Sequence, residues 1–198
     1  MKLKLFDINP AVCEAFEQYF DRDNVEIVCC SLESLTEYDC IVSPGNSFGL
    51  MDGGIDKYII KKFGTELMHK VQQHIIHNFS GEQPVGTSFI IGTENNDHPY
   101  LVHTPTMRIP MKINNSDNVY LAMKALLNEV KLFNLKSRNA IKTVACSGLG
   151  TATGGVSPSN AAKQMSLAYE HVLYSPIYKI DWNTALLRSR EIFFSTTL

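Results

Sequence analysis

The sequence predicts an α/β fold, a mostly parallel or mixed sheet with helices packed on both faces. Three observations carry this reading. Strand-like and helix-like segments alternate along the chain, the order that generates crossovers between parallel strands. The run Asp39-Cys40-Ile41-Val42-Ser43 is apolar on both faces, as an interior strand covered by two helix layers must be. Two glycine-rich stretches stand where apolar runs end: Cys40 through Gly49, leading into Met51-Asp52-Gly53-Gly54-Ile55-Asp56, and Val144 through Gly155. Both read as crossings from a strand through a loop into a helix.

Leu3 to Ile8 is the first strand, and Asn9-Pro10 supplies an N-cap and a first-turn proline for a helix carrying Val12, Phe16 and Tyr19. Val25 to Cys30 is the second strand and Asp39 to Ser43 the third. From about Asp56 a helix presents Ile59, Phe63, Leu67, Val71 and Ile75 as one apolar stripe, with Gly64 marking a break or kink. Thr87 to Gly92 and Tyr100 to His103 read as strands. Val119, Ala122, Leu126, Val130 and Phe133 mark a helix, and Lys142 to Cys146 is the strand feeding the second loop. Ser157-Pro158 caps a helix whose core face is Ala161, Met165, Ala168 and Val172. Beyond Pro176 come the only tryptophan, Trp182, and a short helical pattern through Leu186 and Leu187. Residues 1–198 therefore read as one domain, with 176–198 a C-terminal extension packed on it.

A chain of 198 residues, 44% hydrophobic and 19% charged, is long enough to bury one substantial core and short for two. Its net charge of -2 provides no broad cationic field, which argues against duplex DNA as a partner and leaves oriented backbone groups to hold any phosphate. No long hydrophobic region or small-residue cleavage site follows Lys2 and Lys4, so a cytoplasmic protein without a membrane span is expected. The five cysteines (Cys13, Cys29, Cys30, Cys40 and Cys146) lack the spacing of a zinc site and are expected to be reduced core residues. His69, His74 and His77 share one helix at a spacing poor for metal binding. Neither a metal nor a cofactor is expected.

A buried parallel strand that stops at small residues exposes unpaired N–H groups beside the positive end of the next helix, a setting that holds phosphate. Two such loops point to a phosphorylated ligand clamped between them. Asn46 offers an uncharged donor and acceptor to a ligand hydroxyl, or it bonds its own turn. Asp56, just beyond two glycines at a helix start, either caps that helix or orients a hydroxyl or a water. Gly53 and Gly54 either admit close approach of the main chain to a ligand or form a plain tight turn. His103, at a strand end among apolar neighbours, reads as structural. Arg108 either reaches a phosphate or is solvated.

The run from Asp39 to Asn46, followed by Gly53-Gly54-Ile55-Asp56, resembles the macro domain signature, in which a buried strand ends in an Asn-Ala-Ala-Asn-like turn and continues to Gly-Gly-Val-Asp. Ser147-Gly148-Leu149-Gly150-Thr151 stands where that family has its second, phosphate-wrapping loop. Leu101-Val102-His103 with Thr104-Pro105-Thr106 is similar to the family's His-containing strand and turn. The likeness runs from about Val25 to Val172, and the style of the first loop is that of bacterial and phage members. It implies a three-layer α/β/α sandwich around a mixed, mostly parallel six-stranded sheet, with ADP-ribose or a derivative in a cleft at the strand C-termini.

On that resemblance Asn46 matches the distal-ribose asparagine. Asp56 matches the aspartate associated with catalysis in members that cleave ADP-ribose from proteins or from an acetyl ester. Asp56 and Asn46 are thus the candidate catalytic residues, and Gly53, Gly54 and Ile55 join them as ligand-binding candidates. Ser147, Gly148, Leu149, Gly150 and Thr151 would wrap the diphosphate, with Ala152, Thr153 and Gly154 bordering the distal ribose. The chain departs from the pattern in three places. Cys30-Ser31-Leu32 stands where many macro domains have Gly-Asp-Ile, whose aspartate binds the adenine amino group, so Ser31 or Asp7 is left to meet the base. Ser43-Pro44-Gly45 removes the asparagine upstream of Asn46, and Asp52 replaces the first glycine of a three-glycine run. The function implied is hydrolysis of an ADP-ribosyl linkage, with a non-catalytic ADP-ribose reader and an ADP-ribose 1″-phosphate phosphatase as alternatives. The partner is then ADP-ribose or an ADP-ribosylated substrate; nucleic acid enters only in ADP-ribosylated form, and the chain is expected to act as a monomer.

Overall fold

The computed structural model describes residues 1–138, 140–175 and 177–193; Pro176 and 194–198, which belong to the expected C-terminal extension, lie outside the described residues. The elements run β1 (Lys2–Asp7), α1 (Pro10–Tyr19), β2 (Val25–Cys29), β3 (Cys40–Ser43), α2 (Gly54–Phe63), α3 (Thr65–Phe79), β4 (Phe89–Gly92), β5 (Tyr100–His103), α4 (Asn118–Lys136), β6 (Thr143–Cys146), α5 (Pro158–Leu173) and α6 (Trp182–Phe193). Six strands form one sheet in the order β2-β1-β6-β3-β5-β4. All neighbours are parallel except β4 and β5. This is the mixed, mostly parallel six-stranded sheet that the sequence and the family likeness led us to expect.

Local chemistry explains most of the boundaries. Asn9 Oδ1 accepts from the Ala11 N–H at 3.1 Å, and Ser157 Oγ accepts from the Asn160 N–H at 3.3 Å, so each proline-led helix has its cap; removing such a cap costs about 1 kcal/mol. The long stripe from Ile59 to Ile75 is shared between two helices. Gly64 divides them at φ +90° while its N–H closes α2 onto the Ile60 carbonyl. β4 starts at Phe89, not Thr87, because Thr87 donates both its hydroxyl and its N–H to the Pro84 carbonyl in a preceding turn.

The core has two halves separated by the sheet. Leu3 and Leu5 of β1, Cys40 and Val42 of β3, and Val144 and Cys146 of β6 face the side covered by α1, α4 and α5. Phe6, Ile41, Leu101 and Ala145 face the side of α2 and α3. The period of two along each central strand thus fills both layers, the physical reason that β3 is apolar throughout. Cys13, Cys40 and Cys146 are buried as expected, whereas Cys29 is exposed and Cys30 half-buried. These two fall at the end of the edge strand β2, which lacks a neighbour on one side. All five thiols are free.

α6 lies against α5, where Glu191 approaches His171 at 3.0 Å and Ile192 packs on the core. Trp182 and Leu187 remain exposed. Among the described residues no helix is long and apolar enough to cross a membrane. Because β1, β6 and β3 are adjacent and parallel, Asp7, the loop after β6 and the loop after β3 emerge side by side at one end of the sheet. In open parallel sheets that end is where ligands bind.

Candidate functional site

β3 stops at Ser43 because Pro44 has no N–H to continue the ladder. Asn46 then organises the turn with its own side chain. Its Oδ1 accepts from the N–H groups of Phe48 (3.1 Å) and Leu50 (3.3 Å), and its Nδ2 donates to the Leu50 carbonyl (2.9 Å). Of the two roles open to Asn46, the structure thus displays the turn-building one, although the residue also borders the cleft described below. The segment after β5 braces this loop from behind. Thr106 Oγ1 donates to the Pro44 carbonyl at 3.0 Å, and the Ser47 N–H bonds to Met107 O at 3.1 Å.

α2 begins at Gly54, which has φ +53°, while its N-cap, Gly53, sits at φ -132°. The backbone freedom expected of both glycines is therefore used only at Gly54, since the Gly53 conformation is open to any residue. Asp56 does not cap the helix, whose N-cap makes no side-chain hydrogen bond. Its carboxyl is turned inward, 4% exposed, where Oδ1 accepts from the Ser43 hydroxyl at 2.8 Å. Burial pushes the Asp56 pKa up to about 7; the Ser43 hydrogen bond opposes this and the charge of Asp52 adds to it. Asp56 thus passes from acid to carboxylate near neutrality.

His103, at the end of β5, is fully buried. Its Nδ1 lies 2.6 Å from Gln83 Oε1, an acceptor, so Nδ1 carries the ring proton and Nε2 a lone pair. Burial, helped by His74, lowers its pKa to about 3 and keeps the ring neutral.

The second loop is tied to the first strand. Asp7 Oδ2 accepts from the Gly148 N–H at 3.2 Å while Oδ1 accepts from the Asn9 N–H at 2.9 Å. Thr151 Oγ1 donates to the Gly148 carbonyl at 2.9 Å and the Val156 N–H to the Gly150 carbonyl at 3.1 Å. The N–H groups of Leu149, Gly150 and Thr151 have no acceptor among the described residues. Across the cleft from Gly150 are the leading residues of α2, whose amides as helix-terminal groups have no intrahelical partner.

The two loops enclose a cleft with two lobes that meet at Gly54 and Ile55. The narrow lobe, about 100 Å³, is bordered by Asn46, Gly53, Asp56, Gly150, Ala152 and Thr153 among others. The wide lobe, about 550 Å³, is bordered by Asp7, Ser31, Ser147 and Tyr58. Gly148, Leu149 and Thr151 border neither lobe; Leu149 is fully buried in the core instead. Arg108 is turned away and pairs with Glu82, its Nη2 3.0 Å from Oε2. Tyr58, Ser43 and Thr106 were missed in the sequence. Tyr58 follows Gly54 by one helical turn, and that spacing was its available signal. Ser43 and Thr106 had none, because their positions depend on pairing between β3 and β5.

A family model for the Macro domain matches residues 42–165, a span containing both loops. The chain belongs to the Macro domain family. An uncharacterized protein of Aquifex aeolicus is 32% identical over 134 residues, covering 67% of this chain and 74% of that protein. An uncharacterized protein of Aeropyrum pernix is 24% identical over 144 residues, covering 72% and 70%. Among solved structures, the macrodomain of Mycobacterium tuberculosis DarG has a TM-score of 0.57 at 18% identity, covering 68% of this chain and 83% of its own. The Oceanobacillus iheyensis macrodomain with ADP has a TM-score of 0.59 at 17% identity, covering 79% and 84%. These solved macrodomains share the fold described above.

Proposed function

We propose that this macro domain binds ADP-ribose or an ADP-ribosylated substrate across the two-lobed cleft and hydrolyses an ADP-ribosyl linkage. The observation that carries the reading is the convergence of the two loops on one cleft, where Gly150, whose amide is unclaimed, lies across from the start of α2 and Asp56. Amides so arranged hold a diphosphate without a cationic side chain, which suits a chain of net charge -2. A macrodomain of similar fold has been solved with ADP, in keeping with this assignment. The wide lobe would take the adenosine end, where Ser31 and the ring of Tyr58 meet the base. Asp7 has both carboxylate oxygens engaged, so its part there is to hold the second loop. The narrow lobe would take the distal ribose. Asp56 on its wall, with a pKa near neutrality, is suited to accept a proton from water or to orient it.

One observation favours a non-catalytic reader: the Asn46 amide is committed to its own loop at three hydrogen bonds, leaving less of it for a ribose hydroxyl. Calorimetric titration with ADP-ribose, followed by a release assay on ADP-ribosylated protein, separates the readings. Micromolar binding that is lost in Gly53→Glu, where the added side chain has open space in the cleft, with turnover lost in Asp56→Ala while affinity is kept, supports the hydrolase. Binding without turnover in the wild type supports the reader. Absence of binding to ADP-ribose overturns both.

A further inference from the structure

Beneath the first loop two polar atoms face Gly45, one a buried ring nitrogen and the other a carboxyl oxygen of the cleft wall. His103 Nε2 has no hydrogen-bond partner although the residue is fully buried. Asp56 Oδ2 is the carboxyl oxygen that Ser43 leaves free, since the hydroxyl is spent on Oδ1. A Cβ placed on Gly45 would stand 2.8 Å from His103 Nε2 and 2.9 Å from Asp56 Oδ2. The two atoms are therefore less than about 6 Å apart, a span that one hydrogen-bonded water closes. No direct bond joins them.

The pattern of donors fixes what is missing. The Nδ1 proton of His103 is committed to Gln83 Oε1, so Nε2 is an acceptor in need of a donor, and leaving it unmet is costly. In its acid form Asp56 has a proton to give, and no direct hydrogen bond carries it to the ring. We propose that one water bridges Asp56 Oδ2 and His103 Nε2, making His103 the positioning residue for the Asp56 carboxyl, with Gly45 kept small so that both atoms reach the water. The proposal rests on the reading of Asp56 as the reacting group. The chain of donors then runs from Asp56 Oδ2–H to the water, from the water to Nε2, and from Nδ1–H to Gln83. The acid proton is held on Oδ2, and the carboxyl plane is set from both ends by Ser43 and by the water.

The titratable groups around this chain are few. Asp52 faces Asp56 from the loop before α2, and His74 of α3 faces His103. Burial keeps the His74 pKa below its ordinary value, while that of Asp56 is raised to about 7.

Ring ¹⁵N spectra of His103, recorded with Asp56 carboxyl ¹³C shifts from about pH 5 to about pH 9, test the bridge without any nucleotide present. The expected result is a proton on Nδ1 and an Nε2 resonance that moves with the Asp56 midpoint, although His103 itself stays neutral. In Asp56→Asn that movement disappears. In Gly45→Ala the new methyl takes the shared space, so Asp56 still titrates while Nε2 no longer follows. A proton on Nε2, a pH-independent Nε2 in the wild type, or a coupling that survives Gly45→Ala overturns the proposal. The wild-type spectra decide even if a variant fails to fold, and none of these outcomes touches the binding of ADP-ribose, which is measured separately.

Discussion

The two glycine loops share a composition and differ in what holds them. The loop after β3 is fixed by polar bonds: Asn46 to its own backbone, Ser43 to Asp56, Thr106 to Pro44. The loop after β6 adds close packing to its bonds from Asp7 and Thr151. A Cβ on Gly154 would fall 2.5 Å from the Gly150 carbonyl oxygen, and one on Gly150 would meet Val119, Ile113 and Val156 at 3.0–3.2 Å. A Cβ on Gly53 or Gly54, by contrast, meets nothing within 4 Å. In the second loop these glycines answer to the protein interior; in the first, Gly45 and Gly49 also meet interior side chains at 2.8–2.9 Å, and only Gly53 and Gly54 answer to the open cleft. A polar anchor responds to pH and a packed one to volume, so the two loops should fail under different challenges.

The largest effect expected is on the first loop, through pH. Folded Asp56 keeps its proton up to about 7 where an unfolded chain releases it near 3.8. Its contribution to stability is full below pH 3.8 and is lost as pH rises through 7. His103 has the opposite sign: the folded ring refuses a proton down to about pH 3, while the unfolded ring takes one near 6.5. That contribution is full above 6.5 and is lost as pH falls toward 3. Across the shared window the two slopes oppose each other. Relative to wild type, Asp56→Asn should therefore gain stability as pH rises from 3.8 to 7, and His103→Phe should lose it as pH rises from 3 to 6.5. Each change is of the order of 4 kcal/mol over its full window. Urea unfolding at a series of pH values measures both, and parallel curves for all three proteins would remove the electrostatic account of the first loop.

Gly154→Ala challenges the second loop by volume. The methyl meets backbone, which cannot swing aside, so a loss of about 3 kcal/mol is expected, with little dependence on pH. Chemical denaturation gives the magnitude; a variant as stable as wild type would mean that this loop is not held by packing.

A smaller loss, about 1–2 kcal/mol, is expected for Gly54→Ala, from the φ of +53° alone. Because the methyl would project into the cleft, affinity for ADP-ribose should fall further than stability. Equal losses in calorimetry and unfolding would place the residue outside the site. Arg108→Ala is the smallest: its exposed pair with Glu82 should leave both affinity and thermal midpoint unchanged. A clear drop in affinity would mean that Arg108 swings into the cleft on binding.

Much of the fold was legible because its signals are local. Asn9 and Ser157 announced their helices by capping chemistry, Gly64 divided a continuous stripe, and the apolar run in β3 placed that strand inside the sheet. The two loops were legible as glycine-rich exits from strands, and most of the residues expected at the cleft border it. The exceptions are instructive. Gly148, Leu149 and Thr151 share the second loop, yet they border neither lobe, and Leu149 is drawn into the core cluster that holds Ile113, Val119 and Val156. Asp56 looked like a helix cap, and its inward turn could not be read without knowing that Ser43 lies beneath it.

By itself, then, the sequence determined the alternation of strands and helices, their caps and breaks, and the presence of two strand-to-helix loops, since each depends on residues within a turn or two of one another. Tertiary structure alone decided the order of the strands, the meeting of Asp7 with Gly148 across 141 positions, and the burial that moves Asp56 and His103 in opposite directions. Those outcomes depend on which distant segments share a low-dielectric space, and proximity of that kind is set by packing and not by neighbours along the chain.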